Sequence, residues 1–279
     1  MAGSLRRQFA YGALSLLLTC LLLVWVTDAA IRAAPLSNLT LGLLLVGREP
    51  FRDMTLPQAL ATAVGRSALL LGAALALAIA VGAVAGVAYA FTSHRSIRAV
   101  AWTVGTVGSS LPSFFWALLL ELVVVLVYVR TQKLIAPVSG GFGLDSHIVL
   151  PAVALAMRPA AYVFRTTAAA LDEARHAPHV LTALAKGIGP MGVAEHHVMR
   201  NAAPSVLAGL ALAAKTSLSS LAIVEYIFTW NGAGYGFIFA VAKGDVALAT
   251  AIAVIFAIAL TLLGSAVATT TRAIAVTAR

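Results

Sequence analysis

The chain has 279 residues, of which 61% are hydrophobic and only 10% charged. Soluble domains carry roughly 25% charged residues, so this chain lacks the polar surface that a water-facing globule needs, and lipid is its solvent. The formal net charge of +9 comes from scattered Lys and Arg with no aromatic-studded basic stripe. That argues against a nucleic-acid partner and for the basic loops of a membrane protein.

In chain order, Arg6 and Arg7 precede an apolar run over residues 9–31. It is too long for the core of a signal peptide and lacks an obvious small-residue cleavage site, so it reads as a retained anchor. Cys20, the single cysteine, lies in this run and makes neither a disulfide nor a metal pattern. A polar connection over 32–65 holds Pro35, Pro50 and Pro57 and reads as a segment lying on the membrane surface. The second span is expected over 66–91. Its Ala74, Ala78, Gly82 and Gly86 recur every four residues, a small-residue face that lets two helices approach closely. The third span is expected over 100–129, carrying Glu121. The fourth covers 148–170, where Pro159 after Arg158 should bend or disturb the helix. A second long polar connection over 171–202 precedes the fifth span, 203–223, and the sixth, 247–270.

No run alternates strictly, which argues against a β-barrel. The fold class is all-α integral membrane with about six transmembrane helices, forming one transmembrane domain over 1–279. With the N-terminus inside, ten basic residues fall on inner segments and seven on outer ones, Arg158 and Lys215 lying within spans. This bias, together with the compact 93–98 loop and the basic tail, puts both termini and the 171–202 connection in the cytoplasm of a multi-pass plasma-membrane protein.

Few motifs point to chemistry. Gly187, Gly189 and Gly192 match G-x-G-x-x-G, but Pro190 interrupts them and no strand precedes them, so a dinucleotide site is not expected. No Walker A sequence is present, so the chain is not expected to hydrolyse ATP itself. His176, His179, His196 and His197 cluster beside Glu195, but metal ligands must converge, and adjacent histidines on a helix diverge. No catalytic constellation appears, so the expectations are no enzyme, no cofactor and no metal. Glu121, Arg158 and Lys215 are costly in an apolar setting unless paired or hydrated. Each is either a structural ion-pair partner or a pathway residue. Lys215 is followed one helical turn later by Ser219.

The 171–202 connection resembles a known family. Ala183-Leu184-Ala185-Lys186-Gly187-Ile188, followed by His197-Val198-Met199-Arg200-Asn201-Ala202-Ala203-Pro204, is similar to the cytoplasmic loop of ABC importer permeases of the dipeptide, oligopeptide and nickel branch. Leu181-Thr182-Ala183 stands where the wider superfamily has E-A-A, and Gly187 is its glycine. Ser110-Leu111-Pro112-Ser113-Phe114-Phe115, His147-Ile148-Val149-Leu150-Pro151-Ala152, Arg165 and the run Val224 to Gly234 resemble further family motifs in the same order. Departures include His179-Val180 for an aspartate-tyrosine pair, Asn231 and Ala247 for prolines, and Glu121 in the third span.

The resemblance implies the type I importer permease architecture. It implies a chain that moves peptides or related small solutes inward without being an enzyme. The implied partners are a second permease subunit, two ATP-binding subunits and an extracytoplasmic substrate-binding protein. It assigns ATPase coupling to His179, Thr182, Ala183, Ala185, Lys186 and Gly187. A lever helix over 171–186, interrupted at Pro178, is expected to present Leu181 and Leu184, with Gly187 adopting positive φ at its exit. The candidate pathway residues are Lys215, Ser219, Glu121 and Arg158. An alternative reading is an ion-coupled secondary transporter in which Glu121, Arg158 and Lys215 are the coupling charges.

Overall fold

A computed structural model describes Leu17, Leu21, Trp25, Phe51 and residues 54–134, 136, 142–143 and 145–277. The described residues are helical or in short connections, with no strand among them. Among the described residues, five helical stretches are long and apolar enough to cross a bilayer: Leu56–Phe91, Ser113–Thr131, Ser146–Arg175, Met191–Ile227 and Val246–Ala266. The expected first span over 9–31 lies outside the described residues apart from Leu17, Leu21 and Trp25, which are helical and exposed. Cys20 and most of the 32–53 connection also lie outside them.

Helix α1 is Leu56–Phe91, beginning ten residues before the expected second span. Pro57 suits the first turn, where a missing N–H costs nothing, and the Thr55 N–H donates to Gln58 Oε1 at 3.0 Å. At about 1.5 Å per residue the helix is ~54 Å long, well beyond the ~30 Å hydrocarbon core, so it projects from the membrane or tilts within it. Its buried stripe contains Ala74, Ala78, Gly82 and Gly86. A Cβ at Gly82 would lie 2.5 Å from the Ala160 carbonyl, and one at Gly86 would lie 2.7 Å from Thr167 Cβ. The small-residue face is therefore a packing seam, as expected.

The third expected span is not one helix. Pro112 disfavours helical φ/ψ at Leu111, which is extended at ψ 134, and the chain divides into α2, Arg95–Ser110, and α3, Ser113–Thr131. Helix α4, Val149–Arg175, is central and packs on α1, α2 and α3. Pro159 sits buried inside it without ending it, and the helix continues five residues past the expected boundary.

The anticipated lever over 171–186 is likewise divided. Leu171–Arg175 belong to α4, His176 and Ala177 form a break, and α5 runs Pro178–Ala185. A short helix α6, Pro190–Val193, passes through a π-helical turn, Ala194–Met199, into α7, Arg200–Ile227. The expected fifth span thus starts earlier than residue 203. The connection after α7 contains α8, Ala233–Lys243, closed by Gly244 at φ 75. Asp245 Oδ1 then accepts from the Leu248 N–H at 3.0 Å at the start of α9, Val246–Thr277.

Candidate functional site

Three features of this bundle bear on transport. The first is the turn around α5. Val180 and Ala183, three residues apart, are buried with Leu171, Ala174, Val193 and Val198. That inner face fixes α5 against the ends of the long helices. Ala183 therefore belongs to the anchoring side, whereas His179, Thr182, Ala185, Lys186 and Gly187 are exposed. Leu181 and Leu184 are 61% and 46% exposed, so α5 carries apolar side chains on both sides.

The exit from α5 is set by hydrogen bonding. The Gly187 N–H donates to the Leu184 carbonyl at 2.9 Å, and the Ile188 N–H to the Ala183 carbonyl at 3.2 Å. This nested pair is the Schellman arrangement, which needs a left-handed residue at its centre, and Gly187 has φ 80. Nothing lies within 4 Å of a Cβ built there, so backbone conformation alone selects glycine. The His179 and His197 rings approach to 6.4 Å, yet no group of three potential metal ligands forms among the described residues.

The second feature is an open cavity of about 590 Å³ between α7, α8 and α9. Lys215 and Ser219 line it, as the stripe on α7 implies. Glu121 and Arg158 do not. Glu121 is half-buried on α3, and Arg158 lies against Tyr162 on its own helix, 5.7 Å from the ring. No hydrogen bond or ion pair joins Glu121, Arg158 and Lys215 among the described residues. The four pathway candidates are therefore not one constellation, and only Lys215 and Ser219 share a site.

The third feature was not anticipated. Glu225, at the end of α7, is fully buried and accepts from the Gly234 N–H at 2.7 Å, the Tyr235 N–H at 3.1 Å and the Ser67 hydroxyl. Ser67 Oγ accepts in turn from the Ala233 N–H at 2.7 Å. The first-turn N–H groups of α8, which have no partner within that helix, are thus satisfied by side chains of α7 and α1. Next to this, the Trp230 indole donates to the Arg66 carbonyl at 3.1 Å, and Arg66 donates to the Asn231 carbonyl at 3.3 Å. Gly234 is needed for contact, because a Cβ there would collide with the Ala222 backbone. The signal was present in the sequence: an acid at a span end, followed by Gly232-Ala233-Gly234 opening a helix.

A corresponding tie holds the opposite end of the bundle. Arg98 donates to both carboxylate oxygens of Asp172, at 3.2 and 2.9 Å, and Arg175 Nε lies 2.9 Å from the same carboxylate. Arg165 of α4 donates to Ser109 Oγ at 3.0 Å, joining α4 to the residues just before the Pro112 break.

The described residues form a polytopic helical bundle with an open cavity between α7, α8 and α9 and an exposed turn around α5. The chain belongs to the family of binding-protein-dependent transport system inner membrane components, whose model matches residues 78–275. It is 32% identical over 196 residues to the di/tripeptide transport system permease protein of Pseudomonas aeruginosa, covering 62% of this chain and 58% of that one. It is 31% identical over 208 residues to the peptide transport system permease protein of Salmonella typhimurium, covering 66% and 64%. A putrescine export system permease protein of Escherichia coli is 28% identical over 208 residues, covering 66% and 64%. The matched regions span roughly three fifths of these relatives' length. The peptide-permease branch expected from the loop motifs is the one these relatives represent.

Proposed function

We propose that this chain is a permease subunit of an ATP-driven importer that carries peptides or related small solutes into the cytoplasm. It works with a second permease, two ATP-binding subunits and an extracytoplasmic binding protein. The observation that carries the reading is α5. It is a two-turn helix clamped on one side by Val180 and Ala183, stopped by Gly187, and presenting Leu181 and Leu184 outward. A short rigid element with exposed apolar side chains and no internal partner is what transmits a push from a neighbouring subunit. In this reading His179, Thr182, Ala185, Lys186 and Gly187 face the ATP-binding subunit, Ala183 holds the helix to the bundle, and both termini are cytoplasmic. Among the described residues Glu121 and Arg158 do not border the cavity that Lys215 lines, which weighs against the secondary-transporter alternative, in which the three charges act together.

The test is uptake of a labelled dipeptide by cells with and without this chain, with ATP and the proton gradient depleted separately. The proposal expects uptake that requires the chain and ATP. Uptake that survives ATP depletion and collapses with the gradient would replace it with the ion-coupled alternative.

A further inference from the structure

Lys215 lies near the middle of α7, a helix long and apolar enough to cross a membrane, and it is exposed on this chain. Arg200 and Ile227, the ends of α7, are about 22 Å and about 18 Å away along the helix at 1.5 Å per residue. An ionisable side chain in a membrane-spanning helix is costly unless it is paired, hydrated or serves a ligand, and one that borders an open cavity is placed for the last two. Its ammonium has no acidic or hydrogen-bonding partner among the described residues, and no acidic residue lines the 590 Å³ cavity it borders. The apolar wall includes Phe237, Phe256 and Leu260.

The other polar groups of the cavity are Ser219 and Thr261. Both hydroxyl protons are already used: Ser219 donates to the Lys215 carbonyl at 2.9 Å, and Thr261 to the Ala257 carbonyl at 2.8 Å. In this arrangement each hydroxyl oxygen still offers a lone pair to the cavity. The cavity thus offers one cation, two acceptors and apolar walls, in a volume typical of small-molecule sites.

The complement of that set is an anion carrying a nearby N–H donor and an apolar group. We propose that Lys215 binds the terminal carboxylate of a short peptide, with Ser219 and Thr261 accepting from its amide N–H groups. This inference rests on the peptide-import reading above and specifies the end of the peptide that is recognised. A multiply charged anion would call for more than one cation.

The experiment compares uptake of a labelled tripeptide with uptake of its C-terminal amide, in cells carrying the complete transporter. The binding protein is the same in every strain, so a changed acid-to-amide ratio reports on this subunit. The parent should prefer the free acid. Lys215→Gln should lower the ratio by about tenfold or more, the value of one lost charged hydrogen bond. Lys215→Arg should keep the ratio, and Lys215→Glu should invert it. Lys243→Gln, outside the cavity, should leave it unchanged. Lys215→Met serves as a second neutral variant if the glutamine protein does not reach the membrane.

A neutral variant present at parental level with an unchanged ratio would overturn the proposal and leave peptide import standing. So would a parent that takes up the amide as fast as the acid. A parent with no uptake of either peptide would remove the peptide reading itself, and this inference with it.

Discussion

Replacing Glu225 by alanine tests how α8 is held to the ends of α7 and α1. The substitution removes the acceptor for the Gly234 and Tyr235 N–H groups and for the Ser67 hydroxyl, all buried. Ser67 can rotate to another acceptor, but the two backbone donors cannot. Each buried donor without a partner costs about 1–3 kcal/mol, so the pair costs about 2–6 kcal/mol before any loss of packing is counted. Glu225→Gln separates this effect from simple truncation. Its amide oxygen still accepts from α8, and its NH₂ can donate to Ser67 Oγ, which has a free lone pair beside the one taken by Ala233. The expected loss for glutamine is about 0.5–1.5 kcal/mol, one weakened hydrogen bond. The assay is amide hydrogen exchange over residues 233–243 in lipid nanodiscs, with the heat-aggregation midpoint measured alongside. The alanine protein should exchange fastest at Gly234 and Tyr235 and aggregate at lower temperature, with the glutamine protein close to the parent. If the two variants exchange alike at parental rates, the carboxylate does not hold α8 and the reasoning fails.

Other perturbations separate the remaining features. Gly187→Val should cost about 1–3 kcal/mol through left-handed strain alone, leaving the protein in the membrane but depressing binding-protein-stimulated ATP hydrolysis in reconstituted complexes; Gly187→Asn, which tolerates that conformation, should retain it. Gly82→Val should force α1 from α4 at a cost of about 1–3 kcal/mol and lower the aggregation midpoint. Gly72→Ala, where a Cβ meets nothing within 4 Å, should not lower it. Asp172→Asn should cost about 1 kcal/mol or less, because the Arg98 pair is partly exposed. A cysteine at position 187 should react with an impermeant thiol reagent only after the membrane is opened from the cytoplasmic side; labelling in intact cells would reverse the topology.

The spans with long uniform apolar runs were legible because lipid demands them, and the seam of α1 was legible because only small residues recur at its spacing. Gly187 was legible because few residues other than glycine tolerate its conformation. The division of the third span was missed although Pro112 was in view, since the apolar run continues through the break and hydropathy does not register it. Glu225 was missed for a related reason. It was counted with an outer loop, where an acid costs little. Its role appears only when α1, 158 residues earlier in the chain, brings Ser67 beside it. Glu121 and Arg158 illustrate the limit of reading charges from sequence. An expensive charge marks a residue for attention but does not say which neighbour it will find, and neither of them reaches the cavity.

The π-helical turn Ala194–Met199 has a consequence for chain length. Such a turn accommodates one residue more than an α-helix of the same rise and leaves the helix on either side in phase. Removing one residue from within 194–199 should therefore close the turn into ordinary α-helix and leave Lys215 facing the same cavity. The same deletion placed between Val206 and Ala214 would rotate everything beyond it by about 100°, turning Lys215 away from the cavity and Glu225 away from the N-terminus of α8. Chains of this fold that differ in length by a single residue can accommodate the difference at this turn, where an insertion or a loss does not change which faces meet.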